Sequence, residues 1–340
     1  MKLTSYLRNT LAAALTIGLF CTGTSQATEE KDYLLATATT GGTYYPVGVA
    51  LSTLTKVKLQ ASNKIGMSAI SSAGSGENIK LMRDNEVQFS ILQGLYGYWA
   101  WNGSGQLAQD GPQKDLRSIT MLWQNVEHFV IDSSKAKTGT ITDMVNMKGE
   151  RVSLGQKNSG TLGSNEVILS NLGADIEKDF DLVYIGYGPS ADALQNGQIA
   201  GMSTPAGVPA SAVTRVLATM GDKVTLLGFT DEQVVQADGG LKLWTAYHIP
   251  ADAYPGLAKD VTTIAQPNFL SVRADIDDET VYLITKTIYE NLPFLNAIHK
   301  ATTAMSIDKA LAGLPMPLHP GAARYYQEVG LTIPDHLIAK

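Results

Sequence analysis

Short apolar runs alternate along the chain with longer stretches whose apolar positions recur every three to four residues, the pattern of buried strands between amphipathic helices. Tyr33 to Ala38 reads as a strand. Gly41-Gly42-Thr43-Tyr44-Tyr45 then turns into a helix with Pro46 in its first turn, where the missing N–H costs nothing. Ile65 to Ser71 is a second strand, Glu77 to Arg83 a helix and Val87 to Gln93 a third strand. The succession β-α-β-α-β predicts a sheet covered by helices.

A second unit of the same kind follows. Leu116 to Trp123 is a strand, and Glu127 to Asp132 reads as an extended segment crossing between units. Residues 138–148 make a polar connection and a short helix ending at Gly149, Arg151 to Leu154 a strand, and Leu162 to Leu172 a helix. Short strands at 182–185, 199–203 and 224–227 and helices near 189–196 and 208–221 give this unit its own sheet. Asn268 to Arg273 reads as a returning strand leading into one long helix from Asp278 to about His299, with further helices near 306–312 and 321–329. These last helices need a partner for their apolar faces, so they are expected to pack back on the first unit. The expectation is a two-lobed α/β chain, each lobe a sheet flanked by helices, joined by a two-strand hinge. Residues 28–125 with 267–340 form a discontinuous lobe I and residues 126–266 form lobe II.

The first residues change the picture of where such a chain works. Lys2 and Arg8 precede ten uncharged residues, Leu11 to Phe20, and then Ser25-Gln26-Ala27, so residues 1–27 read as a signal peptide and the destination as the periplasm. A run of that length falls short of the roughly 20 residues that span a bilayer. Cleavage after Ala27 removes Cys21, the one cysteine, so no disulfide is expected. It also removes two of the 26 basic residues and none of the 32 acidic ones, which leaves a net charge of -8. That balance, without a Lys/Arg cluster, excludes nucleic acid as a partner and adhesion to an anionic membrane. A monomer without membrane insertion is expected.

Three places share one local design, an apolar strand, a turn of glycine and small hydroxyls, and a helix start. They are Gly41-Gly42-Thr43-Tyr44, Gly74-Ser75-Gly76-Glu77-Asn78 and Ser159-Gly160-Thr161. A helix N-terminus presents unpaired N–H groups and about half a positive charge, which suits a carboxylate or phosphate. The same residues also serve as ordinary helix caps. In an open α/β sheet such turns lie at the carboxyl ends of strands, where ligands bind. Tyr44 and Tyr45 offer flat faces with hydroxyl tips, for a pocket or for helix packing. Trp99 and Trp101, after the third strand, either line a cleft or cap the core. Glu77, Gln93 and Glu127 are polar residues at the edges of apolar segments; a carboxylate there either holds a ligand ammonium or, for Glu77, complements a helix dipole.

Catalytic and cofactor motifs are missing: no HExxH, GxSxG, phosphate-binding loop or CxxC occurs. The five histidines, at 128, 248, 299, 319 and 336, include no pair at metal-ligand spacing. No enzyme activity, cofactor or metal is expected; a secreted hydrolase would need a triad assembled from distant positions.

In order along the chain, Gly41-Gly42-Thr43-Tyr44-Tyr45-Pro46-Val47-Gly48, Ser75-Gly76-Glu77-Asn78, Glu127 with Phe129-Val130, Gly155 with Ser159-Gly160-Thr161, Gly186-Tyr187, Tyr254-Pro255-Gly256, Leu318-His319-Pro320-Gly321-Ala322 and Arg324-Tyr325-Tyr326 resemble the TAXI receptors. These are the solute-binding subunits of tripartite ATP-independent periplasmic (TRAP) transporters. The resemblance implies a type II periplasmic-binding-protein fold, capture of a small carboxylate or amino acid (glutamate, glutamine, 2-oxoglutarate) by lobe closure, and delivery to TRAP membrane subunits. Carried onto matching positions, the ligand shell includes Gly42, Thr43, Tyr44, Ser75, Gln93, Glu127, Ser159, Gly160 and Thr161, to which Glu77 and Gly207 are added as candidates. Ala200 and Pro205-Ala206-Gly207-Val208-Pro209 depart from the family pattern. A receptor of an ABC-type uptake system for a different small anion would have the same lobes.

Overall fold

The computed structural model describes residues 30–339; the expected signal peptide lies outside them. The chain opens with β1 (Lys31–Ala36), α1 (Tyr44–Asn63), β2 (Ile65–Ile70), α2 (Ser75–Arg83), β3 (Phe89–Gln93) and α3 (Gly94–Asn102). The segment holding Trp99 and Trp101 is thus a helix that starts where β3 ends, and it buries Leu95, Tyr96, Trp99 and Ala100. After β4 (Leu116–Val126) come β5 (Phe129–Asp132), α4 (Ile141–Val145), β6 (Arg151–Ser153), α5 (Gly160–Asn171), α6 (Ile176–Asp179) and β7 (Asp181–Leu182). Then follow α7 (Tyr187–Gln195), β8 (Gly201–Ser203), α8 (Ser211–Met220), β9 (Val224–Leu226), α9 (Asp231–Asp238), β10 (Thr245–Ile249) and β11 (Val261–Arg273). The chain closes with α10 (Asp278–Glu290), α11 (Leu292–Ile298) and α12 (Pro320–Glu328).

These elements form two sheets flanked by helices, one per lobe. The first has six strands in the order β10-β11-β3-β1-β2, with β4 also paired to β11. The second has five, in the order β7-β6-β8-β5-β9. In the first, β1 runs parallel to β2 and β3, whereas β11 runs antiparallel to β3, β4 and β10. Strand β11 returns to the first sheet beside β4, and Gln266 stands opposite Asn125 and Ala265 opposite Val126. Beyond Val126 the chain leaves for the second sheet through Glu127 and His128, both wholly buried. The main chain stays paired on the way, with the Glu127 N–H donating to the Ile264 carbonyl at 2.9 Å.

Two departures from the sequence reading have local causes. The long helix expected from Asp278 is two helices, because Asn291 leaves helical geometry (φ -129°, ψ 28°) and Pro293 has no N–H to continue the ladder. The helix expected near 306–312 is a short 3-10 turn at Ile307–Lys309. Strand β10, in the range assigned to the second lobe, hydrogen-bonds into the first sheet, while Ile249 packs with Val261 and Ala265 in the core of the second. Helix α10 packs between α1 and α12, which covers the apolar face of the first lobe. No helix among the described residues is long and apolar enough to cross a membrane.

Candidate functional site

Between the lobes, beside the crossing strands, lies a cavity lined by residues from both. The first lobe contributes Ala38, Gly42, Thr43, Tyr44, Ser75, Gln93 and Asn125, and the second Gly160, Thr161, Tyr187 and Pro205. The space open to the centre of a water-sized sphere is about 20 Å³, room for about one water molecule.

Five helices begin at this cavity: α1 at Tyr44, α2 at Ser75, α3 after Gln93, α5 at Gly160 and α7 at Tyr187. In four of them, α1, α2, α3 and α7, the residue before the helix makes no side-chain cap; the Leu95 N–H of α3 donates instead to Gln266 Oε1 at 2.8 Å and the Glu77 N–H of α2 to the Asn158 carbonyl at 2.9 Å. In α5 the Ser159 hydroxyl accepts from the Leu162 N–H at 3.0 Å. The first N–H groups of a helix have no partner within it, and the aligned peptide dipoles add a partial positive charge there. None of the residues lining the cavity is Lys, Arg, Asp or Glu, so its potential is set by these helix starts.

Side-chain amides and hydroxyls complete the lining. Asn125 Nδ2 donates to Gln93 Oε1 at 3.2 Å, and Gln93 Nε2 donates across the lobe boundary to the Gly160 carbonyl at 2.7 Å. This sequence of donors leaves Asn125 Oδ1 without a partner. A side chain at Gly160 would stand 2.8 Å from Gln93 Cδ and 2.9 Å from Ser75 Oγ, so only glycine lets the lobes meet here. Tyr44 donates to Asn268 Oδ1 at 2.5 Å. Tyr187 donates to the Pro205 carbonyl at 3.0 Å, which leaves Thr161 Oγ1, 2.5 Å away, to donate to Tyr187. Burial pushes both tyrosine hydroxyls far above their ordinary range, so each keeps its proton and acts as a donor at neutral pH.

Of the residues expected from the sequence, Gly42, Thr43, Tyr44, Ser75, Gln93, Gly160 and Thr161 line the cavity. Four others stand off it. The Glu77 carboxylate turns back to accept the Ala73 N–H at 2.5 Å, in its own helix turn. Ser159 is occupied in capping α5. Gly207 accepts from Thr43 Oγ1 at 3.2 Å and lines a neighbouring cavity behind Trp123. Glu127 is buried behind the lining with the Trp244 indole N–H 3.5 Å from Oε1, and its other oxygen has no partner. Burial pushes its carboxyl up to about 8, and the Trp244 contact offsets that only in part. His128 points the other way, with Nδ1 3.0 Å from the Thr204 carbonyl and Nε2 2.8 Å from the Tyr254 hydroxyl. Burial lowers its imidazole to about 4.

The sequence reading did not select Asn125, Tyr187, Pro205 or Ala38. Asn125 carried a weak signal, in the polar pair Gln124-Asn125 between the apolar run Met121-Leu122-Trp123 and Val126, and Tyr187 follows a glycine in the strand-turn-helix design used elsewhere. Among the described residues no group of three His, Cys, Asp or Glu side chains is placed to hold a metal.

A sequence model of the NMT1-like family matches residues 35–330. Among solved structures, a protein from Bordetella bronchiseptica RB50 superposes with a TM-score of 0.52 at 12% identity, covering 89% of this chain and 85% of that one. The periplasmic binding protein BugD gives 0.51 at 14% identity, covering 88% of this chain and 95% of its own. The alkanesulfonate-binding protein SsuA from Xanthomonas axonopodis pv. citri, bound to MOPS, gives 0.46 at 13% identity, covering 89% and 92%.

Proposed function

This chain belongs to the NMT1-like family, a periplasmic solute-binding protein type, and from that premise we propose that it captures a small anionic metabolite, a carboxylate, between its lobes and hands it on without chemical change. One observation carries the reading: five helix starts meet around a cavity with no charged lining, and at three of them, α1, α2 and α7, no side chain caps the first turn. Backbone N–H groups at helix starts hold a carboxylate without a basic side chain. The uncommitted Asn125 Oδ1 would read a donor on the same solute.

The mechanism follows from the seam. At the present lobe spacing the cavity takes about one water molecule, so a solute enters when the lobes part. It then favours closure because it contacts helix starts from both sides, and differential affinity for the closed form is what shifts the equilibrium. Closure would present the solute-loaded form to membrane transport subunits. The TAXI resemblance points to those of a TRAP system, and an anion cradle built from N–H groups suits the sulfonate of an ABC-type ligand as well.

The test is a thermal-shift panel on ligand-stripped protein with acidic amino acids, 2-oxo acids, dicarboxylates and alkanesulfonates. A carboxylate at a hundredfold excess over its dissociation constant stabilises by about 2.7 kcal/mol. Silence toward every anion, or turnover of an ester or amide, would overturn the proposal.

A further inference from the structure

We infer that Tyr96, Gln106 and Glu166 form a clasp at the cleft rim that holds the lobes at their closed spacing from outside the cavity, so that it sets how long a captured solute stays. None of the three lines the cavity. The last step rests on the solute-capture reading; the clasp itself does not.

The clasp begins on a fixed base. Tyr96 lies on α3, is 1% exposed and packs against Trp99 with ring centroids 5.0 Å apart. Its hydroxyl donates to Gln106 Oε1 at 2.5 Å and sits 3.2 Å from the Ser159 carbonyl oxygen of the second lobe. Gln106 belongs to a 3-10 turn, Gly105–Asp110, which Arg83 ties to α2 through an ion pair with Asp110 at 2.6 Å. From this turn Gln106 Nε2 donates to Glu166 Oε2 on α5, again at 2.5 Å. The donors run in one direction, tyrosine to amide to carboxylate, so the amide of Gln106 is used at both its oxygen and its nitrogen.

The surrounding backbone is cut to fit the tyrosine. A side chain at Gly163 of α5 would collide with the Tyr96 hydroxyl, and one at Gly76 of α2 would stand 3.2 Å from its ring. Glu166 lies on the same helix whose first residues, Gly160 and Thr161, line the cavity. Holding Glu166 therefore holds that helix start against Gln93. A solute enters the open form, in which the clasp is parted, and leaves only after the clasp parts again. Loss of the clasp accordingly speeds release, and it slows capture in no case, because the open form is the one that a solute enters.

The test uses Gln106→Ala and Glu166→Ala, with Glu166→Gln as the conservative variant that keeps an acceptor for Gln106. Spin labels at Lys58→Cys and Lys178→Cys, one on each lobe, in a Cys21→Ser background report the interlobe distance in protein stripped of solute. Both alanine variants are expected to move the distribution to longer separations at unchanged fold, as judged by circular dichroism, and Glu166→Gln is expected to match the parent. For any anion that stabilises the protein in the panel above, the alanine variants should release it about threefold to tenfold faster, with an association rate that rises only as far as the open fraction of the solute-free protein does. If no anion binds, the solute reading fails and the distance measurement alone decides the clasp. An unchanged distance distribution in both alanine variants overturns it.

Discussion

The two lobes meet the cavity with different material. The first lobe brings long, buried strands, β4 of 11 residues and β11 of 13, whose Asn125 and Asn268 join Gln93 at the end of β3 in a buried set of amides, with Gln93 and Asn125 on the lining. The strands of the second sheet are two to four residues long, and what that lobe presents is helix starts and turns: Gly160, Thr161, Tyr187, Pro205. A long antiparallel pair fixes its side chains against each other, whereas turns position backbone. The difference lies in the side-chain amides: helix starts come from both lobes, α1, α2 and α3 from the first and α5 and α7 from the second, while only the first adds amides, Gln93 and Asn125, to the lining. The junction between them shows the same asymmetry in two neighbouring residues. His128 has both ring nitrogens bonded, to Thr204 and Tyr254, while Glu127 has one long contact, to Trp244, and one unpartnered oxygen.

The largest expected effect breaks that junction. The folded-state value of Glu127 is raised from an ordinary 4.5 to about 8. The folded chain therefore holds a proton that the unfolded chain releases, and stability falls as pH rises from about 4.5 to about 8. His128 acts in the opposite sense. Its value falls from 6.5 to about 4, so the unfolded chain takes up a proton that the folded chain refuses, and stability is lost as pH falls through that window. Glu127→Gln should remove the alkaline loss, on the order of 3 to 5 kcal/mol at pH 8, and leave the acid side as it is. Urea unfolding at pH 5.5 and pH 8 checks this; a variant with the parent's slope between the two would place the carboxylate charge elsewhere.

One substitution made in each lobe sharpens the comparison. Tyr44→Phe strips the partner from Asn268 Oδ1 in a region where Asn268 Nδ2 already has none, so it should cost about 1 to 3 kcal/mol. Tyr187→Phe removes a hydroxyl bonded to Thr161 and Pro205 at the cavity wall, where a water can take its place, and should cost about 0.5 to 1.5 kcal/mol. Denaturant midpoints at constant slope measure both. Equal costs would mean that the second lobe is as firmly ordered at the cavity as the first.

Most of the strands and helices were legible in the sequence because each is a local matter of periodicity and turn chemistry, as with Gly41 to Tyr44 entering α1. The cavity was legible where a turn residue lines it directly. It was not where the lining depends on contacts between distant segments. Asn125 faces the cavity because β11 fixes the register of β4, and Tyr187 because its hydroxyl reaches Pro205, eighteen residues on. Glu77 and Ser159 had the right residue types, and their own helix turns claimed them first. Glu127 was legible as a polar interruption at the junction between the sheets; its burial there and its contact with Trp244 depend on segments more than a hundred residues apart.

The cross-lobe hydrogen bonds have one more consequence. Gln93 ends on the Gly160 carbonyl, Thr43 on that of Gly207, the Glu77 N–H on that of Asn158, and Ser211 and the Ala212 N–H both on that of Gly41. Every one of these acceptors is main chain, and a substitution at any of these positions keeps the main-chain carbonyl. Side chains at these acceptor positions can therefore drift over evolutionary time without removing these cross-lobe bonds, provided that the glycines stay, whereas the Glu166 carboxylate is a cross-lobe acceptor that a substitution does remove.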